Sequence, residues 1–220
     1  MAAGNGCGPE SLEILAELGI RFTILAPHQA NRVRTIGGRV WRDVSGSRID
    51  PTQAYEQRLP SGRKIALFFY DGPIARAVAF EGLLSSGEDL ANRLNGAFSE
   101  ERNRPQLVHI ATDGESYGHH HRFGDMALAY ALNTIESNQL AQLTNYGEYL
   151  ERHPPTHQVE IIEKLPGVVF TASIAGGAIA AVTPAAIPAG TRSGAPHYAM
   201  RWINCVTPSL RPSTNRAGSF

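Results

Sequence analysis

The sequence predicts an α/β fold, part of an incomplete barrel of parallel strands alternating with helices, followed by a disordered or irregular C-terminal tail. Three observations carry this. From residue 10 to residue 163, short runs of β-branched and aromatic residues alternate with stretches of helical apolar spacing. One of those runs, 64–70, is almost continuously apolar, as a parallel strand covered on both faces is, and 106–112 reads as another buried strand. The last acidic residue is Glu163, and the 57 residues after it are rich in Gly, Ala and Pro.

Each element follows from local pattern. Residues 10–19 read as a helix: Leu12, Ile14, Leu15 and Leu18 recur at helical spacing and a glycine closes the run. Residues 21–26 read as a strand stopped by Pro27. Residues 31–60 hold only brief β-rich pieces, such as 39–44, among many turn formers, and read as a long excursion. Residues 64–70 form a buried strand, 74–86 and 87–98 two helices, and 106–112 a second buried strand. Residues 124–137 are helical, with Met126, Ala127, Tyr130, Ala131 and Ile135 on one apolar face. Residues 144–153 read as a short helix ended by Pro154 and Pro155, and 159–162 as a last strand.

Composition narrows the function. Twenty basic residues balance twenty acidic ones, which argues against nucleic-acid binding driven by bulk charge. No apolar stretch reaches the roughly 18 residues of a membrane helix, and the N-terminus lacks a signal-peptide pattern, so a cytoplasmic protein is expected. Cys7 and Cys205 are too few for a disulfide framework or a zinc–thiolate site. Nothing in the pattern calls for a cofactor or fixes an oligomeric state. Arg32, Arg34, Arg39 and Arg42 read as a solvated face of the excursion.

The zero net charge hides a split: residues 1–163 carry −5 and residues 164–220 carry +5, the latter without one Asp or Glu. At ordinary acidic usage such a gap arises by chance about once in a thousand. A segment of this kind reads as a linker or tail, or as a stretch never selected as protein.

Polar residues fall where the strong strands end. His28 and Gln29 follow the first, Asp71 the second, Asp113 and Glu115 the third. Parallel α/β folds build sites at the carboxyl ends of strands, which would aim these groups at one cleft. Against this, Asp71-Gly72 and Asp113-Gly114 are also ordinary turn formers. The densest chemistry is 111–125, ATDGESYGHHHRFGD, with Asp113, Glu115, Tyr117, His119, His120 and His121. Carboxylates beside Tyr and His suit proton transfer to a hydroxyl-rich ligand. A metal site competes, but three adjacent histidines cannot all face one ion from regular backbone. His120 or His121 could equally cap the next helix or pack in the core.

This segment resembles the catalytic-aspartate region of family-57 glycoside hydrolases, the α-amylase/α-mannosidase-like group. Asp113-Gly114-Glu115-Ser116-Tyr117-Gly118-His119-His120 stands where that family has an Asp-Thr-Glu-x-Phe-Gly-His-Trp type motif. The resemblance makes Asp113 the acid/base and places Glu115, Gly118 and His119 around the sugar pocket. Residues 68–80 resemble a second family segment that keeps Asp71, with Tyr70 where Arg is usual and Ala75-Arg76 where Ser-Asp is usual. Residues 24–29, with the excursion after them, fit a bacterial subgroup that carries a further C-terminal domain. The family implies an incomplete barrel of about seven β/α units. It also implies a retaining mechanism on α-linked glucans, with two carboxylates about 5–5.5 Å apart.

The second carboxylate is missing. The family's nucleophile is the Glu of a Trp-Leu-Pro-Glu type motif just before the helix at residue 10, and this chain has MAAGNGCGP there. Codons for those residues can be chosen so that reading one base later gives WLPETAVDL. Residues 164–192 likewise admit codons that, read two bases later, restore acidic residues and tryptophans. The expected organisation is therefore an out-of-frame 1–9, a partial glycoside-hydrolase domain at 10–163, and an out-of-frame, low-complexity 164–220. The expected function is a fragment of a retaining glycoside hydrolase or glucanotransferase, impaired by loss of its nucleophile. Asp113 is its catalytic acid/base, and His28, Gln29, Asp71, Glu115, Tyr117, His119 and His120 hold an oligo- or polysaccharide, with no metal. A noncatalytic carbohydrate-binding remnant and a metal-dependent deacetylase-like enzyme on a similar barrel remain as alternatives.

Overall fold

The structure, a computed structural model, describes residues 8–162 and 201–208. The expectations for residues 1–7, 163–200 and 209–220 lie outside the described residues. In chain order the elements are α1 (Pro9–Glu17), β1 (Phe22–Leu25), β2 (Ala30–Thr35), β3 (Arg42–Asp43), β4 (Tyr55–Arg58) and β5 (Lys64–Phe69). Then come α2 (Gly72–Phe80), α3 (Gly87–Asn95), β6 (Val108–Asp113), α4 (Gly124–Ser137), β7 (Ala141–Thr144), α5 (Tyr146–Arg152), β8 (His157–Ile161) and β9 (Arg201–Pro208). Among the described residues, no helix is long and apolar enough to cross a membrane. The elements divide between two compact units, one holding described residues 8–70 and 154–162, the other 71–153 and 201–208.

The first unit is a six-stranded mixed sheet in the order β1-β5-β4-β8-β2-β3. The expected parallel arrangement holds for β1 with β5 and β4 with β8. The pairs β4–β5, β2–β8 and β2–β3 are antiparallel. The reason lies in the connections. Five residues join β4 to β5, with Leu59 N–H bonded to the Arg63 carbonyl at 3.0 Å. A link that short closes a hairpin and cannot make a parallel crossover. Here Gly62 takes φ 84°, which the turn requires and which glycine adopts without strain.

The apolar run of β5 is buried on both sides: every residue from Ile65 to Phe69 is buried. Leu12 of α1 joins Leu67, Phe69, Tyr55, Val33 and Val159 in one core cluster. Full burial of each such side chain stabilises by roughly 1.5–3 kcal/mol. Tyr55 meets Phe69 edge-on at 5.8 Å, and its hydroxyl donates to the Asp50 carbonyl at 2.8 Å, so its polar tip is satisfied inside.

The second unit packs α2, α3, α4 and α5 with a three-stranded antiparallel sheet, β6-β9-β7. The predicted helical stretch 74–86 divides into α2 and a 3-10 turn, Leu83–Ser85, because Gly82 at φ 72° leaves the helical region. The α4 face differs from expectation: Ala131 and Ile135 are buried, but Met126 and Tyr130 are 64% and 54% exposed. The tail is not irregular throughout, since Arg201–Pro208, a β-rich run in sequence, forms β9.

Candidate functional site

The densest polar segment begins at the end of β6. Along this strand Val108, His109, Ile110 and Thr112 are buried, and Asp113, its last residue, is exposed. Successive strand residues point to opposite faces. Thr112 therefore turns inward, where its Oγ1 lies 3.0 Å from the Tyr117 hydroxyl, while Asp113 turns outward. His109 is 1% exposed, and its Nδ1 lies 2.8 Å from the Tyr146 hydroxyl, the rings edge-on at 5.2 Å. This buried pair, which pattern reading missed, fixes the middle of the strand that ends in Asp113. The one sequence signal for it is a histidine inside an otherwise apolar strand.

The loop after Asp113 is folded by its own backbone. Gly114–Ser116 form a 3-10 turn, and Tyr117 N–H donates to the Gly114 carbonyl at 3.1 Å. The N–H groups of His119 and His120 both reach the Glu115 carbonyl, at 3.2 and 2.9 Å. Gly118, at φ 120°, turns the chain so that its N–H meets the His121 carbonyl at 3.1 Å. As a result the exposed side chains of Glu115, His119 and His120 stand together. His120 Nε2 lies 3.3 Å from Glu115 Oε2, and the two imidazoles are 4.9 Å apart. His121 is directed elsewhere, its Nε2 3.1 Å from the Ala79 carbonyl. Phe123 enters α4 at φ 64°, uncommon for a bulky residue, and Arg122 lies over its ring at 4.8 Å.

Asp71 is half-buried at the start of α2. Its Oδ1 accepts the Ile74 N–H at 2.9 Å, an N-cap, which is the geometry its turn-forming reading foresees. His28 and Gln29 belong to the first unit, in a 3-10 turn, Pro27–Gln29, directly after β1. Gln29 is buried, its Oε1 accepting the Ala26 N–H at 3.2 Å and its carbonyl the Ile162 N–H at 2.9 Å. These bonds give Gln29 a structural role at the strand end. The His28 ring is exposed, yet partial desolvation lowers its pKa from the ordinary histidine value.

Chemically, the segment offers an outward carboxylate at a strand end, beside a carboxylate–imidazole pair and a second imidazole. Such groups can donate and accept protons and hydrogen-bond several hydroxyls. Among the described residues, no group of three or more His, Cys, Asp or Glu side chains is arranged to hold a metal ion. In comparisons with known proteins, the sequence model of one family, Glycosyl hydrolase family 57, matches residues 7–162. No curated protein matches the chain significantly.

Proposed function

The chain belongs to glycosyl hydrolase family 57, and from that premise we propose that its matched region is the core of a retaining glycoside hydrolase or glucanotransferase for α-linked glucans. The observation that carries the reading is the position of Asp113. It occupies the acid/base place of the motif and is the exposed last residue of β6, with the Glu115–His120 pair in the loop that follows. As an acid, Asp113 protonates the glycosidic oxygen as the bond breaks; as a carboxylate, it then takes the proton of the incoming water or sugar hydroxyl. Glu115, His119 and His120 hydrogen-bond sugar hydroxyls beside it.

A retaining reaction also needs a carboxylate that attacks the anomeric carbon. Residues 1–9, where the family motif would place it, contain none, and the reading is therefore of an impaired enzyme. The frame reading of the C-terminal flank is supported by a coincidence of boundaries. The family match ends at residue 162, and the acidic residues stop at Glu163.

The test is an assay of the purified chain with an α-glucan and an aryl α-glycoside. Binding without steady hydrolysis is expected, and restoring the Trp-Leu-Pro-Glu reading at the N-terminus is expected to create activity that Asp113→Asn removes. Steady hydrolysis by the unrepaired chain would overturn the loss of the nucleophile. Activity indifferent to Asp113→Asn would overturn the role of Asp113. Nucleotide sequence showing one undamaged frame through both flanks would remove the frame reading.

A further inference from the structure

The residue that opens α4 is costly to place. Phe123 lies at φ 64° and ψ 14°, a left-handed conformation that a bulky side chain adopts only against strain. Glycine or asparagine adopts it far more readily. As the N-cap of α4, Phe123 makes no side-chain hydrogen bond to the helix, and it is 59% exposed. Arg122 lies over its ring at 4.8 Å, but one guanidinium covers at most one face, and such a contact at an exposed site is weak. Strain, a missing cap and exposed apolar surface thus fall on one side chain.

The surrounding backbone holds it there. Gly124 N–H donates to the His121 carbonyl at 2.9 Å, and Ala127 N–H to the Phe123 carbonyl at 3.0 Å. A Cβ added at Gly124 would lie 3.1 Å from the Ser116 carbonyl and 3.1 Å from Leu84 Cδ1. The chain directly after Phe123 is therefore packed against the loop that carries Glu115. Met126 and Tyr130, further along α4, are exposed in ordinary helical backbone, so the strain is confined to the residue beside that loop.

We propose that Phe123 is the aromatic platform of the glucan site, its ring stacking on the C–H face of a glucosyl unit. A pyranose is amphipathic: hydroxyls ring its edge, and C–H groups make its faces apolar. The exposed side chains of residues 113–123 are Asp113, Glu115, His119, His120, Arg122 and Phe123. Five of these are polar and serve the hydroxyl edge. Phe123 is the one that can serve the face. An apolar surface beside a few hydrogen-bonding groups is the usual lining of a small-molecule site. Strain kept at such a place points to use outside the fold. The proposal rests on the α-glucan reading above and adds to it a specificity-determining residue that the Asp113 motif does not contain.

The test is calorimetric titration of maltoheptaose into the full chain and two variants, with the urea midpoint of each. Phe123→Asn suits the left-handed backbone and removes the ring. It is expected to raise the midpoint and to weaken binding about tenfold. Phe123→Trp keeps a flat ring under the same strain and is expected to bind within about threefold of the parent. Parent-like affinity in Phe123→Asn overturns the platform and leaves the α-glucan reading standing. Equal losses in both variants do the same, since the shape of the loop and not the ring would then matter. A midpoint that falls together with affinity in Phe123→Asn makes the ring part of the fold and also overturns the platform. No binding by the parent overturns the α-glucan reading, and the platform with it.

Discussion

The backbone N–H of Asp71 donates to the carbonyl of His109 at 2.9 Å, while the Asp71 carboxylate turns back to accept the Ile74 N–H at the same distance. One residue thus caps α2 and ties its start to the strand that ends in Asp113. Removing the cap in Asp71→Ala is expected to cost about 1 kcal/mol in urea unfolding, and Asp71→Ser to recover most of it. The backbone bond survives both changes. If capping is the whole role of the side chain, Asp71→Ser binds malto-oligosaccharide as the parent does. A tenfold loss of affinity at unchanged stability would instead make Asp71 a sugar contact.

What was legible in the sequence follows from how each segment is buried. Strands β5 and β6 lie in apolar surroundings on both faces, so they appear as continuous runs, and the helix of Gly124–Ser137 appears at its observed bounds. Strands β2 and β4 were hidden in the excursion because they are half-solvated: Arg32 and Arg34 flank Val33, and Glu56 and Arg58 flank Gln57. Their placement depends on partners far away in the chain, such as Glu160 for Arg32, 128 residues on. The strand-end position of Asp113 was legible, since it needs only a run and its end. The stacking of Arg32 and Arg34 on Trp41 was not, because it joins β2 to the segment just before β3.

The same distinction governs α4. Its apolar stripe is wider than the surface its neighbours cover, so Tyr130 keeps its ring largely in solvent and packs by its stem. A Cβ added at Gly87, the first residue of α3, would lie 2.7 Å from Tyr130 Cδ1, 2.8 Å from Tyr130 Cβ and 2.9 Å from the Ala127 carbonyl. Gly87→Ala is therefore expected to destabilise by about 1–3 kcal/mol in chemical unfolding. Tyr130→Ala in the same chain relieves the ring contact alone, because the other two atoms remain, so rescue is at most partial. Full recovery in the double variant would show that the helices are not this close.

Glu56 gives the fold a defined acid limb. Burial pushes its pKa up, but hydrogen bonds from Lys64, Arg58 and Gln158 outweigh that and hold it below the usual 4.5. A carboxyl lowered by folding contributes stability that is fully present above its unfolded value. That contribution is lost as pH falls through the lower folded value. The parent should exceed Glu56→Gln in urea midpoint at about pH 6 and converge on it toward about pH 3. A gap that stays constant across that range would mean the carboxylate's charge is not what the pairings stabilise.

Gly118 separates strain from shape in the Asp113 loop. Its φ of 120° belongs to glycine, yet a Cβ built there meets nothing within 4 Å. Any penalty of Gly118→Ala is therefore in the backbone, of order 1–2 kcal/mol. Relaxing that strain rotates the peptide that joins Gly118 to His119, and so moves the turn that sets His120 against Glu115. Gly37 makes the matched control: φ 81°, again open space around a Cβ, but in the first unit, in the turn after β2. Both alanine variants are expected to lose similar stability, while only Gly118→Ala loses malto-oligosaccharide affinity, by about threefold or more. Equal affinity in the two variants would mean that the loop bearing Glu115, His119 and His120 does not touch the sugar.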